Sequence, residues 1–242
     1  MKVIVLITSS DDQTIYAKHR EVWRKYMNDH PDIETYFIQA SEKYSEITLV
    51  DDTLWIPGKE GYKNFGGAHV DKTISSLRWL FANRTFDYVI RTGLSAVWIY
   101  PNLIPFLQTL PTSGVYCGVN GGGFVSGAGM ILSPDVCRLL VDKEDPYPDG
   151  EEDCVIARAL SSYGIAITPY DMRIDYVNLT ECKEGLKRVS PNSFQFRVKT
   201  SNVDEKRGEE PEMMINILNH YKILDQPPRR ERNNKLRWLY NK

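Results

Sequence analysis

FDYVIRTGLSAVWI, residues 86–99, is the stretch on which the reading of this chain turns. Tyr88, Val89 and Ile90 make a short apolar run that stops abruptly at Arg91 and Thr92. A run this short, rich in β-branched and aromatic residues and bounded by polar ones, predicts a strand buried on both faces. Upstream, Val70 to Asn83 places Ile74, Leu77, Leu80 and Phe81 on one face at helical spacing. Downstream, a turn leads into a second apolar run, AVWIYPNLIPFLQTL (96–110).

The same alternation extends toward the N-terminus. VIVLIT (3–8) predicts a first strand, ended by the polar cluster SSDDQ. A helix follows, with Asp11 or Asp12 as its N-cap and with Ile15, His19, Val22, Trp23 and Tyr26 recurring before HPD closes it. ETYFIQA (34–40) predicts a second strand, EITLVDD (46–52) a third element ending in two acids, and PGKEGYKNFGG (57–67) a loop. Strand and helix in alternation predict an α/β chain with a mainly parallel, Rossmann-like sheet flanked by helices. Ligands of such sheets bind beyond the carboxyl ends of the strands. Thr8 to Asp12, Asp51, Asp52 and Arg91 to Ser95 are therefore expected around one crevice.

In the second half, a glycine-dense turn at 121–129 leads into an apolar strand, and Ser133-Pro134-Asp135 starts a helix with proline in its first turn. EEDCVIARALSSYG (151–164) predicts a helix with acids at its start and Gly164 just past its end, as the helix dipole and the C-terminal turn favour. IAITPY (165–170) predicts another strand, and 212–223 a last helix. In SFQFRVKT (193–200), alternation sends Arg197 and Lys199 to one face, opposite Phe196 and Val198.

With 242 residues, 42% of them hydrophobic, the chain is long enough for a full core, expected as a single domain over 1–225. The tail 226–242 has six basic residues against Glu231. A net charge of −2 excludes a protein-wide field that recruits nucleic acid. No nucleic-acid partner is expected, and the tail leaves a peripheral membrane contact open. Four cysteines without paired spacing, a seven-residue apolar N-terminal run too short for a leader, and no apolar window of about 18 residues set the expectation of a cytoplasmic protein with free, buried thiols. The four histidines share no ligand spacing, and the N-R-T and N-L-T triplets at Asn83 and Asn178 have no role in the cytosol.

Three segments, in order, resemble one group of proteins. FVSGAGMILSPDVCRLL (124–140) is similar to a pattern of an aromatic residue, a small-residue turn, an apolar strand and a helix-starting serine. EDCVIARALSSYGI (152–165) looks like an E-D-V or D-D-C signature followed by a helix and a glycine turn. DKTISSLRWLFANRTFDYVIRT (71–92) resembles a helix carrying Lys-Thr and Trp, then the strand that delivers metal-binding carboxylates. The group is the sugar-nucleotide-dependent glycosyltransferases of GT-A fold, of the fringe and β-1,3-galactosyltransferase type. The resemblance covers roughly residues 1–175 and is most specific at 124–133 and 152–165.

At the end of that strand the family places D-x-D or D-D-D, whose carboxylates hold Mn²⁺ or Mg²⁺ against the nucleotide diphosphate. This chain has Arg91-Thr92-Gly93-Leu94-Ser95 instead. A divalent ion requires hard, charged oxygen ligands, and the hydroxyls of Thr92 and Ser95 carry no compensating charge. No cofactor is therefore expected, although a divalent metal held by other ligands stays open. Diphosphate still needs positive charge as it binds and leaves. The core-branching N-acetylglucosaminyltransferases, which share the overall fold, use Arg and Lys, and Arg197 and Lys199 offer that pair here.

The resemblance implies Asp153 as the general base, with Glu152 as a rival; both equally complement a helix dipole. It implies donor contacts from Thr8, Ser9 and Ser10, which equally cap the next helix, and from Lys72, Arg91, Thr92, Ser95, Arg197 and Lys199. Gly127, Ala128 and Gly129 would let an acceptor or donor sugar approach the backbone. The expected function is transfer of a sugar from a nucleotide diphosphate, UDP foremost, to a hydroxyl of a glycan, lipid-linked saccharide or glycoprotein, with inversion and without metal. The alternative is a catalytically inactive sugar or nucleotide-sugar binding module.

Overall fold

The computed structural model describes residues 1–11, 14–60, 67–170 and 172–225. Asp12, most of the 57–67 loop and the basic tail 226–242 thus lie outside the described residues. In chain order the elements are β1 (Val3–Thr8), α1 (Thr14–Arg24), β2 (Ile33–Ser41), β3 (Thr48–Val50), β4 (Thr53–Pro57), α2 (Gly67–Asn83), β5 (Tyr88–Gly93), β6 (Ala96–Trp98) and α3 (Tyr100–Leu107). There follow β7 (Tyr116–Gly118), β8 (Gly129–Leu132), α4 (Pro134–Val141), α5 (Glu152–Ser162), β9 (Thr168–Pro169), β10 (Arg173–Asp175), α6 (Leu179–Leu186), β11 (Gln195–Arg197) and α7 (Glu210–His220).

Eight strands form one sheet in the order β3-β4-β2-β1-β5-β8-β7-β9. β4, β2, β1 and β5 run parallel, while β3 and β8 run against their neighbours. Each central strand buries both faces, which explains the unbroken apolar runs. Val3, Val5, Ile7 and Ile90 belong to the core beneath α1 and α3, and Ile4, Leu6 and Val89 to the core beneath α2, α4 and α5. Truncating any of these to alanine costs about 2–5 kcal/mol.

Alternation continues to the end of β5 and decides the site. Ile90 faces the α1 side, so Arg91 points toward α5 and Thr92 toward Trp98. Beyond Gly93 the chain leaves the sheet: Trp23 Nε1 donates to Leu94 O at 2.9 Å, and β6 joins a second sheet of order β10-β11-β6. In it β11 pairs antiparallel to β6, with Arg197 opposite Ala96. Alternation marked the β11 segment, but the non-local pairing of three short strands leaves no local signal, and the sequence did not announce this sheet.

Several expectations are corrected. The element at 46–52 is half of a hairpin: Asp51, at φ 53°, and Asp52 form the turn between β3 and a further strand, β4. IAITPY contributes only Thr168–Pro169 to the sheet. The apolar run at 96–110 divides into β6 and α3, whose start carries Pro101. Helix α5 ends as expected, with Gly164 at φ 74°, its N–H donating to Ser161 O and that of Ile165 to Leu160 O, a Schellman turn.

Helix α6 was not anticipated, yet its signal is present in N-L-T. Asn178 Oδ1 accepts the Glu181 N–H at 2.8 Å, so the triplet is an N-cap. Asn178→Ala is expected to lower stability by about 1 kcal/mol, and Asn178→Asp to preserve it, as read from urea denaturation midpoints.

Candidate active site

The carboxyl end of β1 is clasped from both sides. Arg20, on α1, donates to Ser9 Oγ (3.0 Å), Ser10 O (2.7 Å) and Asp11 Oδ1 (2.7 Å). From α2, the Lys72 ammonium reaches Ser9 O at 2.9 Å and Glu60 at 3.0 Å. Ser9, Ser10 and Lys72 are thereby buried, and Asp11 is an ion-pair partner of Arg20. Thr8 is half-buried, and its Oγ1 has no hydrogen-bond partner among the described residues. Asp52 does not join this crevice, because Arg24 Nε holds its carboxylate at 2.8 Å and keeps it below the usual carboxylate range against the opposing effect of burial.

At the end of β5 the two side chains engage opposite walls of one turn, residues 126–129. Arg91, 6% exposed, donates to Gly127 O and to the Glu152 carboxylate. Thr92 Oγ1 donates to Ala128 O at 2.8 Å and accepts from Trp98 Nε1 at 3.0 Å. Gln195 Nε2 also reaches Ala128 O, at 3.2 Å, and accepts through its Oε1 from the Tyr170 hydroxyl. Arg173 Nη1 donates to Ser126 Oγ at 2.8 Å. The small residues of this turn are required by the chain's own packing: a Cβ at Gly129 would stand 2.0 Å from Gln195 Nε2 and 2.7 Å from Trp98 Cζ2. At Gly127 it would stand 2.9 Å from Arg91 Nη1.

The adjacent acids at the start of α5 have different surroundings. Glu152 is buried, with Oε1 accepting from Thr73 Oγ1 at 2.5 Å and Oε2 facing Arg91. Asp153 is half-buried, and its carboxylate accepts the Gly127 N–H at 3.1 Å and the Cys154 N–H at 3.2 Å. Only Asp153 keeps partly exposed carboxylate surface. Glu152 is thus shut away from an incoming hydroxyl, and Arg91 is turned from the crevice toward α5. Burial brings the Arg91 guanidinium down to about 10, against the favourable charge of Asp153.

The expected strand is only Gln195–Arg197, so Arg197 ends β11 and Lys199 lies in the segment after it; both are half-buried, while Phe196 and Val198 are fully buried. Val198 N–H donates to Ser95 O at 2.9 Å, bringing half-buried Ser95 beside the pair. Neighbouring cations are matched: Arg173 by Asp175 at 2.7 Å, and Arg207 by Glu210 at 2.9 Å. Among the described residues neither Arg197 nor Lys199 has a carboxylate within ion-pair distance. Burial, and then the repulsion of Arg173, lowers the Arg197 guanidinium; burial, and then Arg197 and Arg207, lowers the Lys199 ammonium. Such a pair favours an anion.

This cationic arm is anchored by Glu210, which is fully buried. Its Oε1 accepts from Thr200 N (2.8 Å), Thr200 Oγ1 (3.0 Å) and Arg207 Nε (2.9 Å), and its Oε2 lies 3.1 Å from His19 Nε2. His19 belongs to α1, so one carboxylate fastens the residue after Lys199 to the helix that clasps β1. Sequence reading missed Glu210, Gln195, Trp98, Arg173 and Arg20, because nothing local marks a contact across such separations.

A divalent ion does not fit the end of β5. Its side chains supply a guanidinium and committed hydroxyls, and among the described residues no group of three His, Cys, Asp or Glu could hold a metal. The described cysteines are free, with Cys117, Cys137 and Cys182 buried. No described helix is long and apolar enough to cross a membrane.

Two outcomes are expected of these contacts. Gly129→Ala overpacks the turn and should cost about 1–3 kcal/mol, measured by urea denaturation. Burial alone would raise the Glu210 carboxyl, but hydrogen bonds from His19, Arg207 and Thr200 bring it from 4.5 to about 2. A depressed carboxylate stabilises the fold above its unfolded pKa and loses that contribution as pH falls toward the folded one, here between about 4.5 and 2. The contribution is on the order of 3 kcal/mol, and Glu210→Gln should flatten the stability profile over that acid window.

No family model and no curated protein matches the chain. Among solved structures, a glycosyltransferase involved in the glycosylation of the major capsid of PBCV-1 aligns with a TM-score of 0.52 at 12% identity, covering 89% of this chain and 100% of that one. An active-site mutant of LgtC aligns with a TM-score of 0.43 at 14% identity, covering 87% and 95%. At such identities the likeness is one of fold, and the fold expected from the sequence is the one found: a large mixed α/β sheet flanked by helices, the GT-A fold.

Proposed function

We propose that the chain is a glycosyltransferase that moves a hexosyl group from a nucleoside diphosphate, UDP foremost, to a hydroxyl of a glycan, a lipid-linked saccharide or a glycoprotein. The observation that carries this reading is the pair of half-buried cations without carboxylate partners, Arg197 and Lys199, beside the carboxyl end of β5. A diphosphate answers their charge, with Arg as a forked donor and Lys as a point charge. The nucleoside end would lie toward Ser9 and Ser10 at the end of β1, and Ser95 beside the phosphates.

In the proposed reaction the acceptor oxygen attacks the anomeric carbon, the bond to the diphosphate oxygen breaks, and its electron pair leaves with the diphosphate. The acceptor's proton passes to Asp153, and attack on the face opposite the leaving diphosphate inverts the anomeric configuration. Two backbone N–H groups orient that carboxylate, and the start of α5 favours its ionised form. Arg197 and Lys199 neutralise the charge developing on the leaving group, the task a metal performs in relatives with acidic residues at this strand end. Transfer without metal belongs to the proposal.

Calorimetric titration with UDP in excess EDTA should give micromolar binding, and Arg197→Ala or Lys199→Ala should each weaken it about tenfold or more. Binding that requires Mn²⁺, or none at all, would count against the diphosphate role of this pair. Asp153→Asn should retain UDP affinity while release of UDP from UDP-hexoses falls by about 10²–10⁴. A binding module would have no turnover to lose.

A further inference from the structure

The buried pair Arg91 and Glu152 belongs to a closed ring of contacts that ends on Asp153. Arg91 donates to the Glu152 carboxylate and to Gly127 O; the same glycine's N–H donates to Asp153 Oδ2 at 3.1 Å; and Asp153 follows Glu152 on α5. Thr73 Oγ1, from α2, closes the remaining Glu152 oxygen at 2.5 Å. Both members of the pair are more than nine-tenths buried, at 6% exposure each. Neither side chain lies open to a diphosphate or to an acceptor hydroxyl.

A charged pair so deeply placed contributes little net stability over a well-packed apolar pair, because desolvation offsets the attraction. What it does fix is direction. A guanidinium donates within one plane, so the Glu152 carboxylate and Gly127 O fix where Gly127 stands relative to the start of α5. From that place the glycine's N–H, which belongs to the preceding peptide, meets Asp153 Oδ2. A Cβ at Gly127 would press on the ring at Arg91 Nη1, 2.9 Å away, while Asp153 Oδ2, at 3.5 Å, would stand at ordinary contact distance.

We infer that Arg91 and Glu152 are positioning residues, which by fixing the place of Gly127 hold Asp153 in the orientation in which it takes a proton. The inference rests on the glycosyltransferase reading for the role of Asp153, while the ring itself stands independently of it. The strand end at which relatives hold a metal serves in this chain to aim the base, and the task of neutralising phosphate passes to β11.

The test uses the full-length protein and the variants Arg91→Met, Glu152→Met, the double variant, and Glu152→Gln. Two readouts are taken: amide hydrogen exchange at Gly127 by NMR, and UDP release from a panel of UDP-hexoses. Each single methionine variant leaves a buried charge unpaired and should melt below the double variant. The double variant should fold, exchange the Gly127 amide at least tenfold faster, and lose at least tenfold in kcat with the KM for donor within about twofold. If it fails to fold, Glu152→Gln carries the same two readouts, because it preserves the side chain's shape without its charge. Unchanged Gly127 exchange in a folded variant overturns the inference, as does unchanged kcat in a wild-type background that turns over. A wild type that releases no UDP from any donor defeats the glycosyltransferase reading instead, and the exchange measurement then decides the ring alone.

Discussion

A guanidinium buried at the end of a central strand has to be neutralised where it stands, and much of the site follows from that requirement. Arg91 cannot reach water, so α5 must present Glu152 to it, and the turn at 126–129 must present a carbonyl. Those two demands set the distance between the turn and the helix. With that distance fixed, the next residue of the helix, Asp153, meets the Gly127 N–H. On the other side of the same strand Thr92 binds Ala128 O and Trp98, so the turn is held through both faces of β5. One strand end thus sets the turn, the helix and the second sheet relative to one another.

The second organising contact lies across the crevice. Glu210 gathers Thr200, Arg207 and His19 around one carboxylate, and so fixes the segment carrying Arg197 and Lys199 against α1. Its charge is answered by Arg207, just as that of Asp175 is answered by Arg173. Among the described residues Arg197 and Lys199 have no carboxylate at ion-pair distance, and burial makes their charge costly without an anion. Under the proposed function this is how the chain binds a diphosphate without a metal: the cations come from β11 and the segment just after it, tied down by a buried carboxylate.

These arrangements account for what was legible in the chain. The strands β1, β2 and β5 and the helices α2, α4 and α5 follow from local apolar runs, spacing and caps, so their existence and order were readable. The pairing of Phe196 and Val198 inward with Arg197 and Lys199 outward was readable for the same reason, since alternation is a local rule. The hairpin at Asp51 and Asp52 was not, because a two-residue turn without glycine carries no strong signal. Glycines in the 126–129 turn suggested room for a sugar, and that room proves to be taken by Arg91, Gln195 and Trp98.

The sequence by itself determined the layered α/β class, the order of the main elements, and the presence of Arg91 and Thr92, and of no carboxylate, at the end of β5. Only the tertiary structure decided which of the neighbouring acids is open and which is buried, which cations are already matched, and that Arg91 faces inward. The physical reason is that periodicity and capping act between residues a few positions apart. Whether a charge is spent or free depends on partners brought together by folding: Arg91 and Glu152 are 61 residues apart, and no local rule relates them.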